Sequence, residues 1–251
     1  MSMKLGLLEC DHVAARFRHI AGDYREMFSA MLARDAPPGL RLLPFDICNA
    51  VWPASLDVCD AYLCTGSRHS ALAHRDWIAH LLEFVREAHA ARTPFVGICF
   101  GHQILARALG GVVERASDGW GVGVHRMDVV QAASWMQPPQ PACRLQYMHQ
   151  DQVVRLPPGA ELLGRTEHSP VAMFQLGDSM LGIQGHPEFA AAYGEALIGD
   201  RVERIGAERA ERGRASLAEP ADTNLAAAWI ARFLESASSS RSTAPVQSAR
   251  L

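Results

Sequence analysis

Residues 95–111, FVGICFGHQILARALGG, put a cysteine where a nucleophile is useful. A short apolar run leads into Gly97-Ile98-Cys99-Phe100-Gly101, and a helix-forming stretch follows. A sharp strand-to-helix turn of this kind, a nucleophile elbow, lifts the residue at its apex clear of the sheet. Glycine suits positions 97 and 101, because bulk on either side of such a turn would meet the strand or the helix. The helix N-terminus beside Cys99 offers unpaired N–H groups and a partial positive charge, which favour thiolate over thiol. The backbone N–H of Phe100 then stands ready for a developing oxyanion. A free cysteine is often no more than a small buried hydrophobe. Here the strand before it, the helix after it and the polar pair His102 and Gln103 in the first helical turn favour chemistry.

A thiolate nucleophile needs a proton partner, and a departing amine needs a proton. Eleven histidines compete for that role. His19, His74, His80 and His89 fall in helical or loop contexts that suit a solvated or packed ring. His186 follows the apolar run 180–184 and stands in Gly185-His186-Pro187-Glu188. Pro187 stiffens the backbone, and a carboxylate two residues on, at Glu188, can hold the imidazole tautomer and stabilise its cation. An isolated H-P-E is equally consistent with an exposed turn. Its meaning comes from the elbow.

These groups need elements to bring them together. Apolar runs at 4–10, 40–48, 61–65 and 94–98 read as strands, and 19–34, 76–91 and 102–109 read as helices. The helix over 76–91 carries Trp77, Ile78, Leu81, Leu82, Val85 and Ala88 on one stripe, and Gly110-Gly111 closes the next. Strand–helix alternation predicts an α/β fold: a three-layer, open, mostly parallel sheet covered on both faces. Past Gly111, strand-like pieces at 112–115, 121–130, 153–156, 161–165, 171–176 and 180–184 predict antiparallel additions in the second half, with a hairpin turn at Gly177-Asp178. Helices return at about 190–212 and 223–235. The last should fold Leu225, Trp229, Ile230, Phe233 and Leu234 back onto the domain. Residues 1–235 thus form one domain, and 236–251, small, polar and aperiodic, are expected to be a disordered tail.

Net charge is −3, which offers no field to draw nucleic acid or an anionic membrane, so neither is an expected partner. The arginines of 201–214 alternate with Glu203, Glu208 and Glu211 and read as a solvated helix face laced with ion pairs. Six cysteines form no C-x-x-C pair. That pattern suits neither zinc nor a disulfide framework, so no metal or cofactor is expected, and reduced thiols point to the cytoplasm. The N-terminal segment lacks the features of a signal peptide, and no apolar run approaches the roughly 18–20 residues of a membrane span.

Together, Gly97–Gln103 and His186–Glu188 resemble the class I glutamine amidotransferases in motif and in order. Two further segments agree. CDAYLCTGS at 59–67 looks like the family's strand and glycine turn that supply a second oxyanion-hole N–H, here at Gly66. HQDQV at 149–153 looks like the segment whose backbone helps hold the substrate's α-amino and α-carboxylate groups. The resemblance covers roughly residues 4–235 and implies a flavodoxin-like fold with Cys99, His186 and Glu188 as catalytic triad. It further implies an oxyanion hole from Gly66 and Phe100, and substrate contacts at Gln103, Gln150 and Asp151, leaving the side-chain roles of His149 and Asp151 open. The implied reaction is hydrolysis of the γ-carboxamide of glutamine through a γ-glutamyl thioester, with ammonia passed to an acceptor. The sequence holds no G-x-x-x-x-G-K-S/T loop or dinucleotide fingerprint, so any ATP-dependent synthetase would be a separate partner. The alternative is a stand-alone hydrolase of γ-glutamyl amides or peptides, as in the γ-glutamyl peptidases of the same architecture. A third reading, a non-catalytic binding protein retaining the fold, sits poorly with an intact triad.

Overall fold

In the computed structural model, which describes residues 3–33 and 39–243, the apolar runs of the first half become β1 (Lys4–Leu8), β2 (Arg41–Phe45), β3 (Ala61–Cys64) and β4 (Phe95–Ile98). Between and after them lie α1 (Arg18–Ala21), α2 (Tyr24–Leu32), α3 (Asp76–Ala90) and α4 (Phe100–Ala108). The second half supplies β5 (Val112–Arg115), β6 (Gly121–Val129), β7 (Ala142–His149), β8 (Asp151–Arg155), β9 (Ala160–Arg165), β10 (Met173–Leu176) and β11 (Met180–Ile183). Helices α5 (Ala191–Asp200), α6 (Val202–Ile205), α7 (Ala207–Ser216) and α8 (Thr223–Thr243) follow. Nine strands make one sheet in the order β2-β1-β3-β4-β11-β10-β9-β6-β7, and β5 pairs with β8 apart from it. From β2 to β11 every pairing is parallel, in the flavodoxin-like order; from β11 to β7 every pairing is antiparallel.

Successive side chains on a strand point to opposite faces, and the central strands feed two cores accordingly. Leu5, Leu7, Leu63, Val96, Ile98, Leu181 and Ile183 pack with Phe28 of α2 and Trp229 of α8. Leu8, Tyr62, Cys64, Phe95 and Met180 pack with Leu81 and Val85 of α3 and Ile104 of α4. Helices therefore cover both faces, giving the expected three layers. Each such side chain contributes about 1.5–3 kcal/mol on full burial, whereas an exposed pair such as Arg92–Asp178 contributes about 0–1 kcal/mol. The cores hold the scaffold.

The apolar face of α8 closes back as expected: Trp229, Ile230, Phe233 and Leu234 are each at most 1% exposed. That helix runs to Thr243, well into the segment expected to be a tail. Ala237 is buried in the core, which ties these turns to the domain. Residues 244–251 lie outside the described ones. The helix expected over 19–34 is two, broken where Gly22 takes φ +79°. Asp23 restarts it by accepting from Tyr24 N, and Glu26 accepts from Asp23 N, both at 2.9 Å. The stretch 190–212 holds three helices, α5 to α7, with Gly206 at φ +90° before the last. Strand β7 is not among the expected strands, although Cys143-Arg144-Leu145-Gln146-Tyr147 alternates apolar and polar residues as a half-buried strand does. Among the described residues no helix is long and apolar enough to cross a membrane.

Candidate active site

The crevice beyond the carboxyl ends of parallel strands is where open α/β sheets bind ligands, and the expected residues collect there. β4 ends one residue before Cys99, which has φ +50° and ψ −98°. A side chain in that region costs about 1–3 kcal/mol. The turn is held by Cys99 N donating to Ile183 O at 2.8 Å and Cys99 O accepting from Gln103 N at 3.1 Å. A Cβ at Gly97 would lie 2.4 Å from the Gly101 carbonyl, and one at Gly101 would lie 2.5 Å from Cys64 O. Both glycines are thus demanded by the close approach of strand, turn and helix. Phe100 opens α4, where backbone N–H groups lack helical acceptors. Gly66, just past β3, faces the same space: a Cβ there would lie 2.8 Å from His186 Cε1 and 3.8 Å from Cys99 Cβ. Among the described residues neither Gly66 N nor Phe100 N donates to a protein acceptor.

His186 Nδ1 lies 2.7 Å from Glu188 Oε1, with side chains only 4% and 0% exposed. The Phe189 ring stacks on the imidazole at 3.9 Å and 10°. Burial pulls the His186 pKa down, but the charge of Glu188, then that of Cys99, and hydrogen bonds to both raise it further, to about 10. The imidazolium is the form at neutral pH. The loop carrying it is clamped by β7: His186 N donates to Gln146 O, and Gln146 Nε2 donates to Phe189 O, both at 2.7 Å. Gly194 of α5 leaves room for this clamp, since a Cβ there would lie 2.0 Å from Gln146 Oε1. Sequence reasoning missed Gln146; a polar residue with 3% exposure is informative only once its strand is known.

A cleft at Cys99 is lined by Ser67, Gln103, Met148, Gln150 and Asp151, among others. Gln103 Nε2 donates to Asp151 O at 2.6 Å and Gln184 Oε1 at 3.1 Å. The Asp151 carboxylate accepts from the Ser70 hydroxyl and lies 3.8 Å from Arg115. His149 Nδ1 stands 3.0 Å from Asp151 O, and a carbonyl only accepts, so that nitrogen carries the proton; Nε2 then accepts from Ser169 Oγ at 3.2 Å. Burial first, and the nearby His168, hold His149 well below the usual range, so it is neutral. Its two nitrogens brace the strand end. His102 is fully buried against Phe174, and burial pushes it down to about 3, so it is a core residue.

Burial pushes the Cys48 and Cys143 thiols up to about 12 and Cys10 well above its usual value. Cys99 is the cysteine that lines the cleft. In the arginine-rich stretch, Arg212 pairs with Glu208 at 3.2 Å as expected of a solvated face. Arg201 and Arg204 instead line the cleft, Arg201 at the break between α5 and α6 and Arg204 on the single turn of α6 that Gly206 ends, and Arg209 donates to Trp120 O at 2.7 Å.

A family model described as Glutamine amidotransferase class-I matches residues 69–202. Gamma-glutamyl peptidase 4 of Arabidopsis thaliana is 31% identical over 191 residues, 73% of this chain and 73% of that protein. A glutamine-hydrolyzing GMP synthase subunit of Sulfolobus acidocaldarius is 30% identical over 130 residues, 51% of this chain and 67% of that protein. A solved glutamine amidotransferase from Thermotoga maritima shares the fold, with TM-score 0.73 over 94% of this chain and 100% of that one at 20% identity.

Proposed function

The chain belongs to the class-I glutamine amidotransferase family of cysteine amidohydrolases, and from that premise we propose that it hydrolyses γ-glutamyl amide bonds of small molecules without a partner protein. One constellation carries the reading: His186 buried between Glu188 and Cys99, with Gly66 against both the imidazole and the nucleophile. Cys99 Sγ attacks the γ-carbonyl carbon, and the N–H groups of Phe100 and Gly66 receive the oxyanion. The C–N bond breaks as the His186 imidazolium gives its Nε2 proton to the departing nitrogen. Glu188 keeps the ring oriented on its other side. A γ-glutamyl thioester remains. Water then loses a proton to His186 and adds to the thioester carbonyl, the C–S bond breaks, and glutamate leaves. Gln103, Gln150 and Asp151 take the α-amino and α-carboxylate end of the γ-glutamyl group.

The sequence ranks glutamine hydrolysis with ammonia transfer first. Two observations favour the stand-alone reading. The apolar face of α8 is covered by the chain's own core, and the similarity to a protein named gamma-glutamyl peptidase spans more of this chain than the similarity to the GMP synthase protein. The second reading, a glutaminase feeding a separate ATP-dependent synthetase, draws on the GMP synthase likeness. The test is release of glutamate and amine from glutamine and a panel of γ-glutamyl dipeptides by the purified protein alone. Unaided turnover of a γ-glutamyl compound is expected. A protein inert on the whole panel that wakes when a synthetase is added would hand the assignment to the second reading.

A further inference from the structure

The cleft at Cys99 adjoins a second cavity of about 290 Å³, and Arg68, Arg201 and Arg204 line both. Tyr24, Tyr193 and Leu197, with Ala14 and Phe17, form the apolar part of its wall. Two of its arginines are neutralised. Arg68 grips Asp11 with Nε at 2.8 Å and Nη2 at 2.6 Å, and Arg16 meets Asp200 at 2.5 Å. Arg201 and Arg204 have no carboxylate partner among the described residues. Arg204 is held over the Trp120 ring at 5.3 Å, on the rim of the cleft. Arg201 reaches inward: burial raises the Tyr193 phenol to about 12, and the charge of Arg201 pulls the other way. The cavity thus presents two uncompensated guanidiniums beside two carboxylates that are already paired.

Its position relates it to the departing half of the substrate. Phe189 stacks on the base His186, and Tyr193 meets Phe189 edge-on at 4.8 Å before forming the cavity wall. Gln103, Gln150 and Asp151, at the γ-glutamyl end, line the cleft and not this cavity. Resting on the hydrolase reading above, we propose that the cavity is the subsite for the amine half of the substrate and that Arg201 and Arg204 bind its carboxylate. The favoured substrates are then γ-glutamyl amides of amino acids or short peptides with a free C-terminal carboxylate. Guanidinium suits such a group because its planar fork matches carboxylate geometry.

The experiment compares kcat/KM for a γ-glutamyl dipeptide and for the same dipeptide with its C-terminus as carboxamide. The wild-type protein should favour the free carboxylate by about tenfold or more, the range of a hydrogen bond to a charged group. In Arg201→Gln/Arg204→Gln that ratio should fall towards one; a partly misfolded variant would lower both rates together and leave the ratio intact. Arg201→Glu should invert the preference towards a γ-glutamyl amide whose leaving half ends in an ammonium. A wild-type ratio near one overturns the subsite. A large ratio that neither variant moves overturns its assignment to these arginines. Turnover of glutamine with none of any γ-glutamyl dipeptide overturns the subsite while leaving the amidase chemistry standing, and inertness towards every compound overturns the functional reading itself.

Discussion

Cys99 is placed by its immediate chain neighbours: β4 before it, α4 after it, and glycines at 97 and 101 that let the two approach. His186 is placed by distant ones. Its loop hangs from β11 and is clamped by Gln146 of β7, a strand at the far edge of the antiparallel extension. The geometry at Cys99 is thus mainly a matter of close steric contact along the elbow, completed by one long-range bond from Cys99 N to Ile183 O. His186 depends on a network of hydrogen bonds and charges that can be loosened in steps.

Substitutions should separate the two. The largest effect is expected at the nucleophile: Cys99→Ala should lower turnover by about 10⁴-fold or more, as removal of a triad nucleophile does, with the circular dichroism spectrum unchanged. An active Cys99→Ala protein would end the distinction, since the elbow would then have no chemical purpose. Next comes the base. His186→Ala should lose about 10³-fold in kcat and Glu188→Gln clearly less, because one carries the proton and the other orients it. A third test goes to the clamp. Gln146→Leu leaves Phe189 O without its donor, a penalty of about 1–3 kcal/mol. It should lower kcat about tenfold with KM nearly unchanged; a change confined to KM would show that the clamp serves binding instead.

The smallest effect is a matter of pH. The His186 pKa rises from an unfolded value of about 6.5 to about 10 in the fold. A raised pKa stabilises the fold fully below the unfolded value, and the stabilisation is lost as pH climbs through the folded one. Glu188→Gln removes the charge that supports the imidazolium. The melting-temperature gap between it and the wild type should be widest near pH 6.5 and close towards pH 10. Histidine side-chain NMR should place the variant's His186 titration lower; an unmoved titration would mean that Glu188 does not set the charge of the base.

How far the sequence reveals this molecule follows the same division. The elbow is legible because its signature residues lie within a few positions of Cys99, and the parallel half because apolar runs alternate with amphipathic helices. The hairpin at Gly177-Asp178 is legible from its turn chemistry. Strand β7 is less so: nothing local shows that Gln146 is buried, because its partner Phe189 O comes from a distant loop. Nor does alternation of arginine and glutamate reveal which arginines face water. That depends on where the helix breaks, and Arg201 and Arg204 turn inward at such breaks.

The position of β11 has a consequence for the chain as it is made. It is the last of the described strands in sequence, yet it lies at the centre of the sheet between β4 and β10. Until it is synthesised, β4 has an unpaired edge and Cys99 N lacks the Ile183 carbonyl that fixes the elbow. The base follows β11 by only a few residues. A growing polypeptide therefore carries Cys99 through the synthesis of about eighty further residues before β11, and His186 just after it, are made. On the proposed mechanism, a chain that ends before β11 lacks both the strand that completes the turn at Cys99 and His186, and should be inactive.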